Sequence, residues 1–183
     1  MREIKNAPVD TQGAAKLGDQ TATDPVFKFQ TLVGLMLSAQ TPDPTTSSVM
    51  EGLVAEGLSV EWTRTVSEAR LTELIGRVNF KNTKSKNIKR TADLIWEKHG
   101  GITPTDYQEV IAMPGVGPKM TLLYIQITTG RIDGIAVDTH VHRLANRLGW
   151  VEGKTPNDTR RELEALAPKE MWGELNEDLV GFG

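Results

Sequence analysis

The chain contains no cysteine in its 183 residues. Disulfides, thiolate zinc sites and cysteine-ligated iron–sulfur clusters are therefore excluded within these residues. No apolar run reaches the roughly 18 residues that a membrane-spanning helix needs. The opening MREIKNAPVD lacks the apolar core of a signal peptide, so an intracellular location is expected. Sustained alternation of apolar and polar residues is also missing, as is any internal repeat. Nor is there an excess of positive charge. The formal net charge is −3, which argues weakly against nucleic acid as a partner. Its distribution qualifies that reading. Lys81 to Arg90 (KNTKSKNIKR) holds five basic and no acidic residues, whereas Arg161 to Asp178 holds two basic and six acidic ones. Local charge decides where a polyanion docks. The plain alternative for the basic stretch is a solvated helix start.

What is present is helical periodicity. TDPVFKFQTLVGLMLSAQ opens the first helix, with Asp24 as cap, Pro25 in the first turn and Phe29, Leu32, Val33, Met36 and Leu37 as a buried stripe. A second helix is expected over about Thr45 to Leu58. A third follows Thr65 and Glu68, which have capping-box spacing. A fourth covers about Lys84 to His99, with Ile88, Ala92, Ile95 and Trp96 inward and Gly100 and Gly101 as its stop. A short fifth, about Thr105 to Ala112, leads to MPGVGPK, and a sixth runs from near Pro118 to Gly130. DTHVHRLANRLG is helical, burying Val141, Leu144, Ala145 and Leu148; Thr155, Pro156 and Asp158 open another helix; a last one covers about Lys169 to Val180. The fold class is all-α.

PGVG joins two of these helices. Gly115 and Gly117 permit backbone angles closed to other residues, and their missing β-carbons let a ligand approach the main chain around Val116. Amides there could point at an anion such as a DNA phosphate; a bare helix connector is the alternative. Lys119 follows in the first turn of the next helix, where the helix field disfavours an ammonium. A neutral lysine amine is a nucleophile toward an electrophilic sugar carbon, and an exposed lysine reaching for water is the ordinary reading. Nineteen residues on, Asp138 starts a helix. Its simplest role is an N-cap. Aimed at a pocket, the same carboxylate could take a proton from Lys119 or stabilise positive charge on a sugar. His140 and His142, two apart on a helix, point to nearly opposite sides and cannot share a metal ion. Arg143 and Arg147 could form a basic stripe.

MPGVGPKM followed by GIAVDTHVHRLANRLGW resembles the helix–hairpin–helix DNA glycosylases, specifically the endonuclease III branch. The resemblance extends to LMLSAQT (Leu35 to Thr41), NTKSKNI (Asn82 to Ile88) and NEDLVGFG, and covers most of the chain. MREIKNAPVD and LVGFG look closer to the eukaryotic members. The resemblance implies a two-lobe all-α fold with a DNA-binding cleft between lobes. A six-helix barrel would occupy residues 25–132, and 1–24 with 133–183 would form the second lobe. Lys119 matches the Schiff-base lysine and Asp138 the activating aspartate. Gln40 matches the glutamine that fills the gap left by an extruded base. Gly115, Val116, Gly117, Lys84, Lys86, His140 and Arg143 are the expected DNA contacts.

The implied activity is a bifunctional DNA glycosylase and abasic-site lyase removing oxidised pyrimidines. The implied partner is duplex DNA with a damaged base or abasic site. The protein would act as a monomer without a membrane, in the nucleus (with the mitochondrion as a second compartment) of a eukaryote, or in the cytoplasm of a prokaryote. The family pattern continues beyond GFG into four cysteines that hold an iron–sulfur cluster, and this sequence holds none of them. A fragment, an engineered form and a cluster-free variant are the alternatives. A non-catalytic DNA-binding module, a monofunctional glycosylase of the same fold and a metal-dependent hydrolase using Asp138, His140 and His142 are the rival functions.

Overall fold

The computed structural model describes residues 18, 19 and 21–181, with side chains described as far as Asn176. Most of the N-terminal segment assigned above to the second lobe lies outside these residues. Helices account for all regular structure among the described residues.

Helix α1 (Asp24–Ser38) is the centre of the larger core. Its nine residues from Phe29 to Leu37 are all buried, not one stripe of them. A helix apolar on every side is one that others surround. Helices α2 (Asp43–Ala55), α5 (Lys81–His99) and α7 (Pro118–Thr129) pack directly on it. The one long polar side chain inside, Gln30, is satisfied: it donates to the Leu58 carbonyl at 3.1 Å and accepts from the Asp19 amide at 2.9 Å. Helices α3 (Val60–Thr65) and α4 (Glu68–Leu74) pack on α5, and α6 (Tyr107–Ile111) on α7. This core runs from Phe29 to Ile125.

A second, smaller core collects Ile135, Val137, Val141, Ala145, Val151 and Leu163. It lies among α8 (Thr139–Arg147), α9 (Pro156–Leu166) and α10 (Trp172–Gly181), which follows a short 3-10 turn at Lys169–Met171. Thr155 and Asp158 form the expected capping box of α9, with Oγ1 accepting from the Asp158 amide at 3.2 Å and the carboxylate accepting from the Thr155 amide at 3.1 Å.

Several local expectations are corrected. Thr23, not Asp24, is the N-cap of α1, and Asp24 instead pairs with Lys28 at 2.7 Å. Thr65 does not open a helix. It closes α3, which is so short that no periodicity marked it, and Ser67 caps α4 by accepting from the Arg70 amide. Trp96 is 39% exposed, with the Arg64 guanidinium 4.7 Å from its ring centroid. Leu148 is 51% exposed, because α8 ends at Arg147 and the chain turns away at Gly149.

Candidate active site

The site grows from the hairpin between α6 and α7. Asp106 starts α6 by accepting from the Gln108 and Glu109 amides at 2.8 and 3.2 Å. After that helix, the Val116 amide donates to the Met113 carbonyl at 3.1 Å and closes the turn. Gly115 has φ +78°, and a β-carbon there would lie 2.5 Å from Asn87 Nδ2. The left-handed backbone requires glycine, and the Asn87 side chain of α5 would have to move aside for any larger residue. Gly117 differs from expectation. Its φ is −111°, open to any residue, and a β-carbon would meet open space. Gly117 is the N-cap of α7 and has no side chain to occupy the first-turn amides. Those amides are left free for an anion.

Lys119 stands in that first turn, and its Nζ donates to Asp138 Oδ2 at 2.7 Å. The two side chains are 33% and 24% exposed, so the pair is open to solvent on one side. Asp138 is the N-cap of α8, its other oxygen accepting from the His140 and Val141 amides at 2.9 and 2.8 Å. The two readings of this residue are thus compatible: one oxygen caps, the other faces the lysine. Burial alone would raise the Asp138 carboxyl. The hydrogen bond from Lys119, the Val141 amide, the Lys119 charge and the His140 amide together outweigh it and hold the carboxyl below its ordinary value.

A separate cleft of about 160 Å³ opens beside the hairpin, lined by Met36, Gln40, Phe80, Thr83, Asn87 and Gly115, among others. Neither Lys119 nor Asp138 lines it. Gln40 is exposed and in the left-handed region, φ +54°, with its carbonyl accepting from Asn79 Nδ2. Phe80 was not anticipated. It too is left-handed, at φ +57°, and 65% exposed. A bulky residue rarely holds this conformation, and such strain clusters where ligands are gripped. No sequence signal marks a phenylalanine for that role.

The remaining expected contacts divide. Lys86, His140 and Arg143 are exposed. Lys84 is not: it is 8% exposed, and its ammonium donates to the Leu37 and Ala39 carbonyls, both at 2.7 Å, and to Thr41 Oγ1 at 3.0 Å. Burial lowers its pKa. The expectation of a phosphate contact is corrected, since the ammonium is committed to the end of α1. Lys89 does the same for α3, donating to the Thr63, Arg64 and Val66 carbonyls. The histidines diverge. His140 faces solvent, while His142 Nδ1 lies 2.7 Å from Thr159 Oγ1. Among the described residues no three His, Asp or Glu side chains converge as a metal site requires.

Two helices joined by a glycine hairpin make a helix–hairpin–helix motif, here with a first-turn lysine presented to a capping carboxylate. The chain belongs to the HhH-GPD superfamily of base excision DNA repair proteins, whose family model matches residues 33–169. It is similar to Endonuclease III-like protein 1 of Bos taurus, 45% identical over 185 residues, covering 100% of this chain and 61% of that protein. It is 37% identical to the endonuclease III homolog of Encephalitozoon cuniculi, over 97% of this chain and 78% of the relative. A solved structure of a trapped endonuclease III–DNA covalent intermediate matches with a TM-score of 0.81 and 27% identity, over 93% of this chain and 81% of that one. The chain thus spans only about three fifths of the bovine relative's length (61%).

Proposed function

We propose that the protein is a bifunctional DNA glycosylase and abasic-site lyase acting on oxidised pyrimidines in duplex DNA. The observation that carries this reading is the 2.7 Å contact between Lys119 Nζ and Asp138 Oδ2 at the head of the hairpin helix. The target nucleotide must leave the stack, because its C1′ is otherwise out of reach. The Asp138 carboxylate takes a proton from the Lys119 ammonium. The freed amine forms a bond to C1′ while the C1′–base bond breaks, its electron pair leaving with the base. Opening of the sugar ring gives the protonated imine. Loss of a C2′ proton then expels the 3′ phosphate, and water hydrolyses the imine to restore Lys119.

DNA would lie across the hairpin amides, with exposed Lys86, His140 and Arg143 as further contacts. Gln40 and Phe80, which both line the cleft, suit insertion into an opened base step. The chemistry is assigned to Lys119 and Asp138, the two side chains that meet at the head of the hairpin helix. No described helix is long and apolar enough to cross a membrane. The nucleus of a eukaryote, or otherwise the cytoplasm, is the compartment that fits a monomer acting on duplex DNA. The name of the bovine relative favours the eukaryotic alternative.

Single-turnover nicking of abasic duplex tests the reading. The expected result is strand cleavage on the 3′ side of the site, in the presence of chelator, by protein but not by Lys119→Ala. Tight binding with no nicking would make the chain a binding module. Nicking abolished by chelator would restore the metal-dependent alternative.

A further inference from the structure

We propose that Asn176 is a positioning residue that sets the Lys119–Asp138 spacing by tying α7 to the segment carrying Asp138. The inference rests on Lys119 and Asp138 being the reacting pair. The segment from Gly134 to Val137 is buried yet neither helix nor strand, so side chains must satisfy its backbone groups. Glu164 takes one, accepting from the Ile135 amide at 3.0 Å. Asn176, itself 4% exposed, takes two: Oδ1 accepts from the Ala136 amide at 2.7 Å and Nδ2 donates to the Gly134 carbonyl at 3.2 Å. Nδ2 also donates to Gln126 Oε1 at 2.9 Å. Because one amide atom faces an N–H and the other faces two oxygens, the orientation of the side chain is fixed.

Gln126 is the informative partner. It lies on α7 seven residues after Lys119, close to two full turns, so both side chains leave the same helix face about 10 Å apart. Lys119 meets Asp138, and Gln126 meets the residue that holds Ala136, two positions before Asp138. The face of α7 is thereby fastened to the Asp138 segment at two points. Glu164 holds the same segment, but its hydrogen bond and ion pair go to Ile135 and Arg160 rather than to α7. The smaller core alone is a weak anchor for a spacing on which proton transfer depends. A displacement of about 1 Å at a reacting pair can cost on the order of 10²-fold in rate.

Gln126→Leu removes the link to α7 and leaves the hydrogen bonds within the Asp138 segment intact; Asn176→Leu removes both. Two readouts apply: the single-turnover rate of borohydride trapping on abasic duplex, and the titration of the Asp138 carboxyl carbon by NMR in the free protein. For Gln126→Leu the trapping rate is expected to fall about 10-fold, with duplex affinity held within roughly twofold. The Asp138 titration should move up toward its ordinary range as the Lys119 contact loosens. Adding Asn176→Leu should cost no more than Asn176→Leu alone, because the two residues act through one link. If Asn176→Leu only lowers the melting temperature while Gln126→Leu traps and titrates as wild type, Asn176 is merely structural and the inference is overturned. A wild-type protein that traps nothing would sink the Schiff-base reading instead, while the Asp138 titration would still report on the clamp.

Discussion

Asp138 divides its two oxygens between the α8 amides and Lys119, and that division makes its roles separable. Asp138→Asn keeps a capping oxygen and loses the charge. The fold should persist at neutral pH with a modest loss of stability, and base excision should be lower by about 10²-fold, as for loss of a positioned acid–base group. Single-turnover excision beside urea denaturation separates the two effects. The pH dependence has a definite sign. The folded carboxyl titrates below its unfolded value of about 3.9, so its stabilisation is complete above that value and is lost as pH falls through the folded one. The stability gap between wild type and Asp138→Asn should therefore close in acid. Lys84 and Lys86 make a second pair of opposites. Lys84→Met would strand buried carbonyls at the end of α1 and cost about 1–3 kcal/mol in urea denaturation, leaving the salt dependence of DNA binding unchanged. Lys86→Ala should leave stability within about 0.5 kcal/mol and lower the salt slope by about one. The basic run from Lys81 to Arg90 was visible in the sequence. Which of its lysines cap other helices was not, because the carbonyls they meet lie up to 47 residues away.

At the scale of elements, the stops and starts were the legible part. Gly130, left-handed at φ +70°, ends α7 where a glycine was read as the end, and Pro118 begins it. Signals that lie within a few residues of one another survive in the sequence because their chemistry is local. Helix α3 escaped because six residues carry too little periodicity, and Trp96 sits at a position of the helical stripe whose partner, Arg64, is distant in sequence. The hairpin glycines show the same limit. Both looked conformationally required, yet only Gly115 has a positive φ, and Gly117 instead leaves open space where a β-carbon would stand. Gly115→Ala should therefore disturb the hairpin and lower the melting temperature. Gly117→Val should leave the fold near wild type while weakening binding to damaged and undamaged duplex alike, as measured by anisotropy. Equal affinities for wild type and Gly117→Val would remove the hairpin from the DNA interface.

The whole molecule joins two cores of unequal size: among the described residues, twenty-one buried apolar side chains in one and six in the other. That inequality matters because the proposed nucleophile stands on a helix of the large core and its carboxylate partner on the small one. Asn176 hydrogen-bonds both Gln126 on α7 and the backbone at Gly134 and Ala136, a polar tie beside the contact that apolar burial leaves weak. The pairing of Lys119 with Asp138 was suggested by residue types and by family likeness. The ties were illegible, since nothing in the sequence marks one asparagine as joining positions 50 and 40 residues away. A net charge of −3 likewise hides a run from Lys81 to Arg90 with five basic residues and no acidic one, of which Lys86 is exposed. The central claim is that Lys119 is the amine that bonds to the sugar. Borohydride reduction of the protein on abasic duplex, followed by peptide mapping of the adduct, tests it directly. The account predicts a covalent protein–DNA product attached at Lys119 and absent from Lys119→Ala; an undiminished adduct in that variant, attached at another amine, would contradict it.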